Sequence, residues 1–160
     1  MNSSVRTRLS TSWVLEFFIW GAWFVTMGTY LANGKIHVAD TLIGVAFATQ
    51  SIGAISAPCC VGRIADKFFS AQKILGVLHL VGAVLLWFAA TQVTFNGFYT
   101  LILIYMVLYM PTLALVNSIS MRQMADPEKE FPFIRVLGTI GWIVAGLIIM
   151  ILHWSEKDQL

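Results

Sequence analysis

Five long apolar runs, at residues 13–31, 41–61, 74–91, 98–121 and 133–152, leave this chain few ways to fold. A helix needs about 20 mostly apolar residues to cross the roughly 30 Å hydrocarbon layer of a membrane. Inside a bilayer no water reaches the backbone, so a spanning segment must satisfy its own amides, and continuous apolar runs do this as helices. Strands of a membrane barrel would be shorter and would alternate apolar with polar residues, which these runs do not. Composition agrees: 58% of the 160 residues are hydrophobic and 11% are charged, where a soluble domain has roughly 45–50% and about 25%. A soluble globule, a disordered tail and a nucleic-acid-binding arm are excluded. The formal net charge of +2 is too small to call for a polyanionic partner. The fold class is an all-α integral membrane protein with five transmembrane helices, and its first partner is the lipid bilayer.

The first run follows Arg6 and Arg8, in the outline of a signal peptide. It is too long for a signal core, contains Glu16 and lacks a small-x-small cleavage site, so it reads as a helix. The connections are short. Residues 33–40 join the first two spans, with Asp40 placed to cap the second. Residues 62–73 form a basic loop, 92–97 an uncharged one, and 122–132 the most charged one. Eight of the ten Lys and Arg residues, namely Arg6, Arg8, Arg63, Lys67, Lys73, Arg122, Lys129 and Arg135, fall on the side of the N-terminus. Lys35 and Lys157 fall on the other. Cytoplasmic loops carry the excess of cations, so the N-terminus is expected in the cytoplasm.

Ionisable residues inside apolar spans are costly, about 2.5–3.5 kcal/mol on insertion scales, and mark functional positions. Three occur here: Glu16, His79 and Arg135. Arg135, Thr139 and Trp142 are spaced i, i+4 and i+7, which puts a cation, a hydroxyl and an aromatic plane on one helix face. Such a stripe suits a polar solute with a flat or sugar-like face. On spacing alone it is equally a cytoplasmic anchor, with Arg135 snorkelling to the interface. Glu16 is either a protonatable carboxylate facing a cavity or a packing residue near the interface. His79 reads as a bond to a neighbouring helix, and Gln50 and Asn117 as interhelical hydrogen-bonding residues.

Gly21 and Gly28 in the first span, and Gly138, Gly141 and Gly146 in the fifth, read as small residues for close helix packing. Pro111 is expected to kink the fourth span. Cys59 and Cys60 are adjacent, make no disulfide framework, and read as small fillers. No metal-ligand spacing, nucleophile elbow or phosphate loop occurs, so no enzyme, metal or cofactor is expected.

The loop Gly62-Arg63-Ile64-Ala65-Asp66-Lys67 resembles the second-to-third loop signature of the major facilitator superfamily. Gly62, Asp66 and Lys67 match it, while Phe69 stands where a second glycine is usual. The resemblance implies that these three residues belong to a conformational latch on the cytoplasmic side. A narrower set of motifs resembles the nucleoside:proton symporter family over about residues 12–150. It comprises Trp20-Gly21-Ala22-Trp23, Ala65-Asp66-Lys67-Phe68-Phe69-Ser70-Ala71, Tyr109-Met110-Pro111-Thr112, Asn117-Ser118-Ile119-Ser120, Phe131-Pro132-Phe133-Ile134-Arg135 and Gly138-Thr139-Ile140-Gly141-Trp142. The spacing of arginine and aromatic also resembles galactoside:proton symporters, so a sugar-like solute is the alternative substrate. The resemblance puts Arg135, Thr139, Trp142 and Asn117 at substrate-binding positions and favours the cavity reading of Arg135. Glu16 stands where nucleoside carriers have a neutral amide, and it is the candidate for proton coupling.

The superfamily resembled has two halves of six helices each, with its site at the midplane between them. Residues 1–160 would supply five helices of an incomplete N-terminal half. The expected function is nucleoside uptake with protons by alternating access, in a bacterial inner membrane, by a carrier whose C-terminal half is the missing partner. The alternative is a truncated membrane protein that transports nothing.

Overall fold

The computed structural model describes residues 3–64 and 70–152, with side chains for residues 3–56 and 70–152. Five helices follow one another: α1 Ser3–Asn33, α2 Asp40–Ile64, α3 Ala71–Ala90, α4 Phe95–Gln123 and α5 Pro127–Ile151. Of these, α1, α3, α4 and α5 are long and apolar enough to cross a membrane. With 25 residues, α2 is as long as α5.

All five helices begin earlier than the apolar runs, α2 by a single residue. The polar segment Ser3–Ser12 is helical and extends α1 to 31 residues, or about 46 Å at 1.5 Å per residue. Hydropathy alone does not see this extension, since Ser, Thr and Arg add no apolar surface. The residues expected as a charged loop before the fifth span are instead the first turns of α5. Asp126 is its N-cap, accepting from the Lys129 amide at 3.4 Å, and Pro127 takes a first-turn position where a missing N–H costs nothing. The Lys129 ammonium lies 2.9 Å from the Asp126 carboxylate. Glu128 and Glu130 complement the positive end of the helix dipole. Asp40 is the first residue of α2 rather than its cap; the Ala39 carbonyl accepts from Leu42 and Ile43. The connection before it turns at His37, whose φ of 41° lies in the left-handed region.

The chain forms two compact units, one of Met1–Gly34 with Ser118–Leu160 and the other of Lys35–Asn117. In the second, α4 receives both α2 and α3. A Cβ on Gly53 of α2 would stand 2.5 Å from the Met106 carbonyl oxygen, so the two backbones meet there. On α3, Gly82 faces the Tyr105 ring. Tyr105 stacks on Tyr109 at 5.4 Å, and His79 meets Tyr109 edge-on at 6.1 Å. His79 Nδ1 donates to the Leu75 carbonyl at 2.9 Å, within α3. The helix α4 continues through the buried Pro111, and the Thr112 hydroxyl donates to the Tyr109 carbonyl at 2.5 Å.

In the first unit α1 packs along α5. Trp13 and Phe17 lie at Gly138, Val14 at Gly141, and Gly21 at Trp142 and Ala145. Residue numbers rise together on the two helices, so they run parallel, as first and fifth spans must. The buried stripe of α5 is Ile134, Gly138, Gly141, Ala145 and Ile149. Gly138 and Gly141 serve the packing expected of them, but the third small residue is Ala145. Gly146 points away, with nothing within 4 Å of a Cβ placed there.

A methyl group on Gly141 would overlap the Val14 carbonyl oxygen and stand 3.0 Å from its carbon. Backbone atoms cannot yield as a side-chain tip does. Gly141→Ala is expected to destabilise the purified protein by about 1–3 kcal/mol, the usual cost of overpacking. Gly146→Ala should be neutral or slightly stabilising, because alanine is the better helix former. Thermal unfolding in detergent checks both, and equal midpoints for the two variants would remove the assigned contact.

Candidate functional site

An aromatic ladder runs up α1 on the side of α5. Trp13, Phe17, Trp20 and Phe24 are spaced i, i+4, i+7 and i+11, which brings them onto one face. Trp13 stacks on Phe17 with centroids 5.7 Å apart and planes 15° apart. Phe17 tilts on Trp20 at 6.0 Å, and Trp20 meets Phe24 edge-on at 5.8 Å. From α5, Phe131 meets Trp13 edge-on at 5.7 Å, and Trp142 meets Trp20 at 5.1 Å and Phe24 at 6.1 Å. Edge-to-face pairs at such distances contribute about 0.5–1.5 kcal/mol each beyond their buried area and fix ring orientation.

The stripe Arg135, Thr139 and Trp142 lies roughly a quarter turn round α5 from the glycine seam. Its members differ in environment. Arg135 and Thr139 are exposed, whereas Trp142 is half-buried. Only Gly21 opposite lets the Trp142 indole approach α1 so closely: a Cβ there would be 3.2 Å from Cδ2. Trp142 thus combines a packing role with a presented aromatic surface. The Arg135 Cζ lies 5.9 Å from the centroid of the Trp13 ring, within the range of a cation–π contact. Glu16 is buried, with 2% of its surface exposed. It projects from α1 one turn above Trp13.

Trp13 is the residue that sequence reasoning passed over. It is 1% exposed, and its indole N–H donates to the Ser120 hydroxyl at 2.9 Å. Ser120 is itself fully buried, on the last turns of α4. One side chain therefore ties together α1, the end of α4 and α5. The signal was present in the spacing of Trp13, Phe17, Trp20 and Phe24, which is hidden in a span where almost every residue is apolar.

Asn117 lies on α4 at the end of the second unit, half-buried, with its amide donating to the Leu113 carbonyl at 2.9 Å. The hydrogen bond expected to another helix is made within its own. Gly62 falls in the last turn of α2. Asp66 and Lys67 lie outside the described residues, as do the side chains of Cys59 and Cys60. Among the described residues no cluster of metal-ligating side chains occurs.

Apolar helices of spanning length, joined by short connections and carrying a buried acid and a presented arginine, define a multi-pass membrane protein. Residues 1–159 match the nucleoside H+ symporter family, and the chain belongs to it. It is 50% identical over 140 residues to the Escherichia coli K12 protein named "Putative nucleoside transporter YegT", covering 88% of this chain and 32% of that one. It is 38% identical over 154 residues to the xanthosine permease of the same organism, covering 94% and 37%. The crystal structure of the nucleoside transporter NupG superposes with a TM-score of 0.90 at 32% identity, over 99% of this chain and 40% of that one. The five-helix fold is therefore that of the N-terminal part of this transporter, and the chain spans about a third of the length of the curated relatives it matches, 32% and 37%.

Ser120→Ala leaves the Trp13 N–H buried without its acceptor. An unsatisfied buried donor costs about 1–3 kcal/mol, so the thermal midpoint is expected to fall accordingly. An unchanged midpoint would mean that the hydrogen bond contributes nothing to the fold.

Proposed function

We propose that this chain forms the N-terminal part of a nucleoside:proton symporter and supplies one wall of its solute cavity. The observation that carries the reading is the pairing of a family match over residues 1–159 with the exposed Arg135 and Thr139 beside a partly presented Trp142. In this proposal the Arg135 guanidinium donates to ribose hydroxyls or base carbonyls, the Thr139 hydroxyl adds a donor and acceptor, and Trp142 stacks on the base. Base–aromatic stacking contributes about 1–3 kcal/mol in nucleic-acid recognition. Asn117 is a further solute contact. Glu16 is the proton-coupling acid, supported by its burial in a span. Gly62, Asp66 and Lys67 form the cytoplasmic latch, where charge-assisted bonds make and break as the carrier changes state. The N-terminus faces the cytoplasm of a bacterial inner membrane, supported by the eight of ten cations on that side.

In the complete carrier, Arg135→Ala is expected to abolish saturable nucleoside uptake while the protein still reaches the membrane. Unchanged uptake would remove Arg135 from the site. Glu16→Gln is expected to end accumulation driven by a proton gradient but to spare exchange of labelled for unlabelled nucleoside. Gradient-driven accumulation that survives would assign the proton to another group.

The carrier reading also makes a prediction about size. Antibody against the N-terminal tail should detect a band in source membranes of more than twice the 17.8 kDa of this chain. A band at the chain's own mass would favour the second reading, a five-helix membrane protein that transports nothing.

A further inference from the structure

We infer that Trp13 is a positioning residue for Arg135, holding the guanidinium over its ring while leaving the N–H donors to the solute. The inference rests on the reading of Arg135 as a solute-binding residue. The structure assigns the two partners opposite characters. Trp13 is immobilised on several sides: by the 2.9 Å hydrogen bond to Ser120, the Phe17 stack and the Phe131 edge. Its six-membered ring fits where Gly138 has no side chain; a Cβ there would stand 3.2 Å from Cε3. Arg135 is exposed, and the contact that its guanidinium makes among the described residues is this ring, at 5.9 Å. A fixed, buried aromatic thus carries a presented cation.

The chemistry of the contact matters. A carboxylate partner would occupy the guanidinium fork with two parallel hydrogen bonds and compete with a solute for the same donors. An aromatic face attracts the cation through the ring quadrupole and accepts none of its five N–H groups. Arginine is otherwise a long side chain with many rotamers, and ordering it when the solute arrives would weaken binding. A ring that confines the cation beforehand removes part of that cost.

Graded fluorination of Trp13 tests this. In the complete carrier, tryptophans bearing one to four fluorines are placed at position 13 by nonsense suppression. Fluorine drains the negative potential of the ring face with little change in shape and keeps the indole N–H. Equilibrium binding of tritiated uridine and adenosine is measured in detergent, beside Arg135→Ala and with thermal midpoints recorded. The expected result is a stepwise loss of affinity, reaching about 2- to 5-fold at four fluorines, with midpoints unchanged. A packing role alone would give a flat series. Flat or rising affinity, in a carrier whose binding Arg135→Ala destroys, overturns the positioning role and leaves the site reading standing. Binding that Arg135→Ala does not weaken overturns both.

Discussion

The approach of α1 to α5 at Gly141 is the contact on which the first unit depends. Lipid tails are as apolar as leucine side chains, so no hydrophobic driving force brings two helices together inside a membrane. What remains is close packing and hydrogen bonding. Gly138 and Gly141 clear a seam in α5 into which Val14, Trp13 and Phe17 settle, and Gly21 clears a place in α1 for Trp142. Once the backbones are this close, the aromatic ladder can close across the seam, and the Trp13 indole can reach Ser120. In the second unit the same device recurs at Gly53 against Met106.

Much of the architecture could be read from hydropathy, because the lipid imposes a single demand on each span. The five helices follow from it. Helix ends were less readable. Ser3–Ser12 and Pro127–Pro132 are helical without being apolar, held by local hydrogen bonds and by capping at Asp126. The glycines were recognised as packing residues, but a helix of 3.6 residues per turn turns Gly146 off the face that Gly138, Gly141 and Ala145 share. At the candidate site, the stripe of Arg135, Thr139 and Trp142 was visible in the spacing. Its unequal exposure was not, since that depends on how α1 lies against it. Trp13 was invisible for the opposite reason: a tryptophan among apolar neighbours gives no contrast, and its role comes from Ser120, 107 residues away.

Large apolar side chains stay exposed along α5, including Phe133, Val136, Ile140, Ile143 and Leu147. In water such a face would drive aggregation. For a multi-pass membrane protein it is ordinary, because apolar surface inside a bilayer carries no solvation penalty. The informative residues in such a chain are therefore the polar ones, and Ser120 accepts from Trp13 between helices. Thr49, Thr112 and Asn117 bond within their own helices. Arg135 and Thr139 remain presented.

The parallel pairing of α1 with α5 sets an order in time. The hydrogen bond from Trp13 to Ser120 spans 107 residues. At ribosomal rates of roughly 5–20 residues per second, α1 waits roughly 5–20 s for that partner, and longer for the seam of α5. During this interval Glu16, the indole of Trp13 and the notch at Gly21 face lipid, the insertion machinery or other helices. A first span that docks on the fifth must be tolerated unpaired beforehand. The polar helical extension at Ser3–Ser12, with Arg6 and Arg8, is suited to hold it at the membrane interface meanwhile.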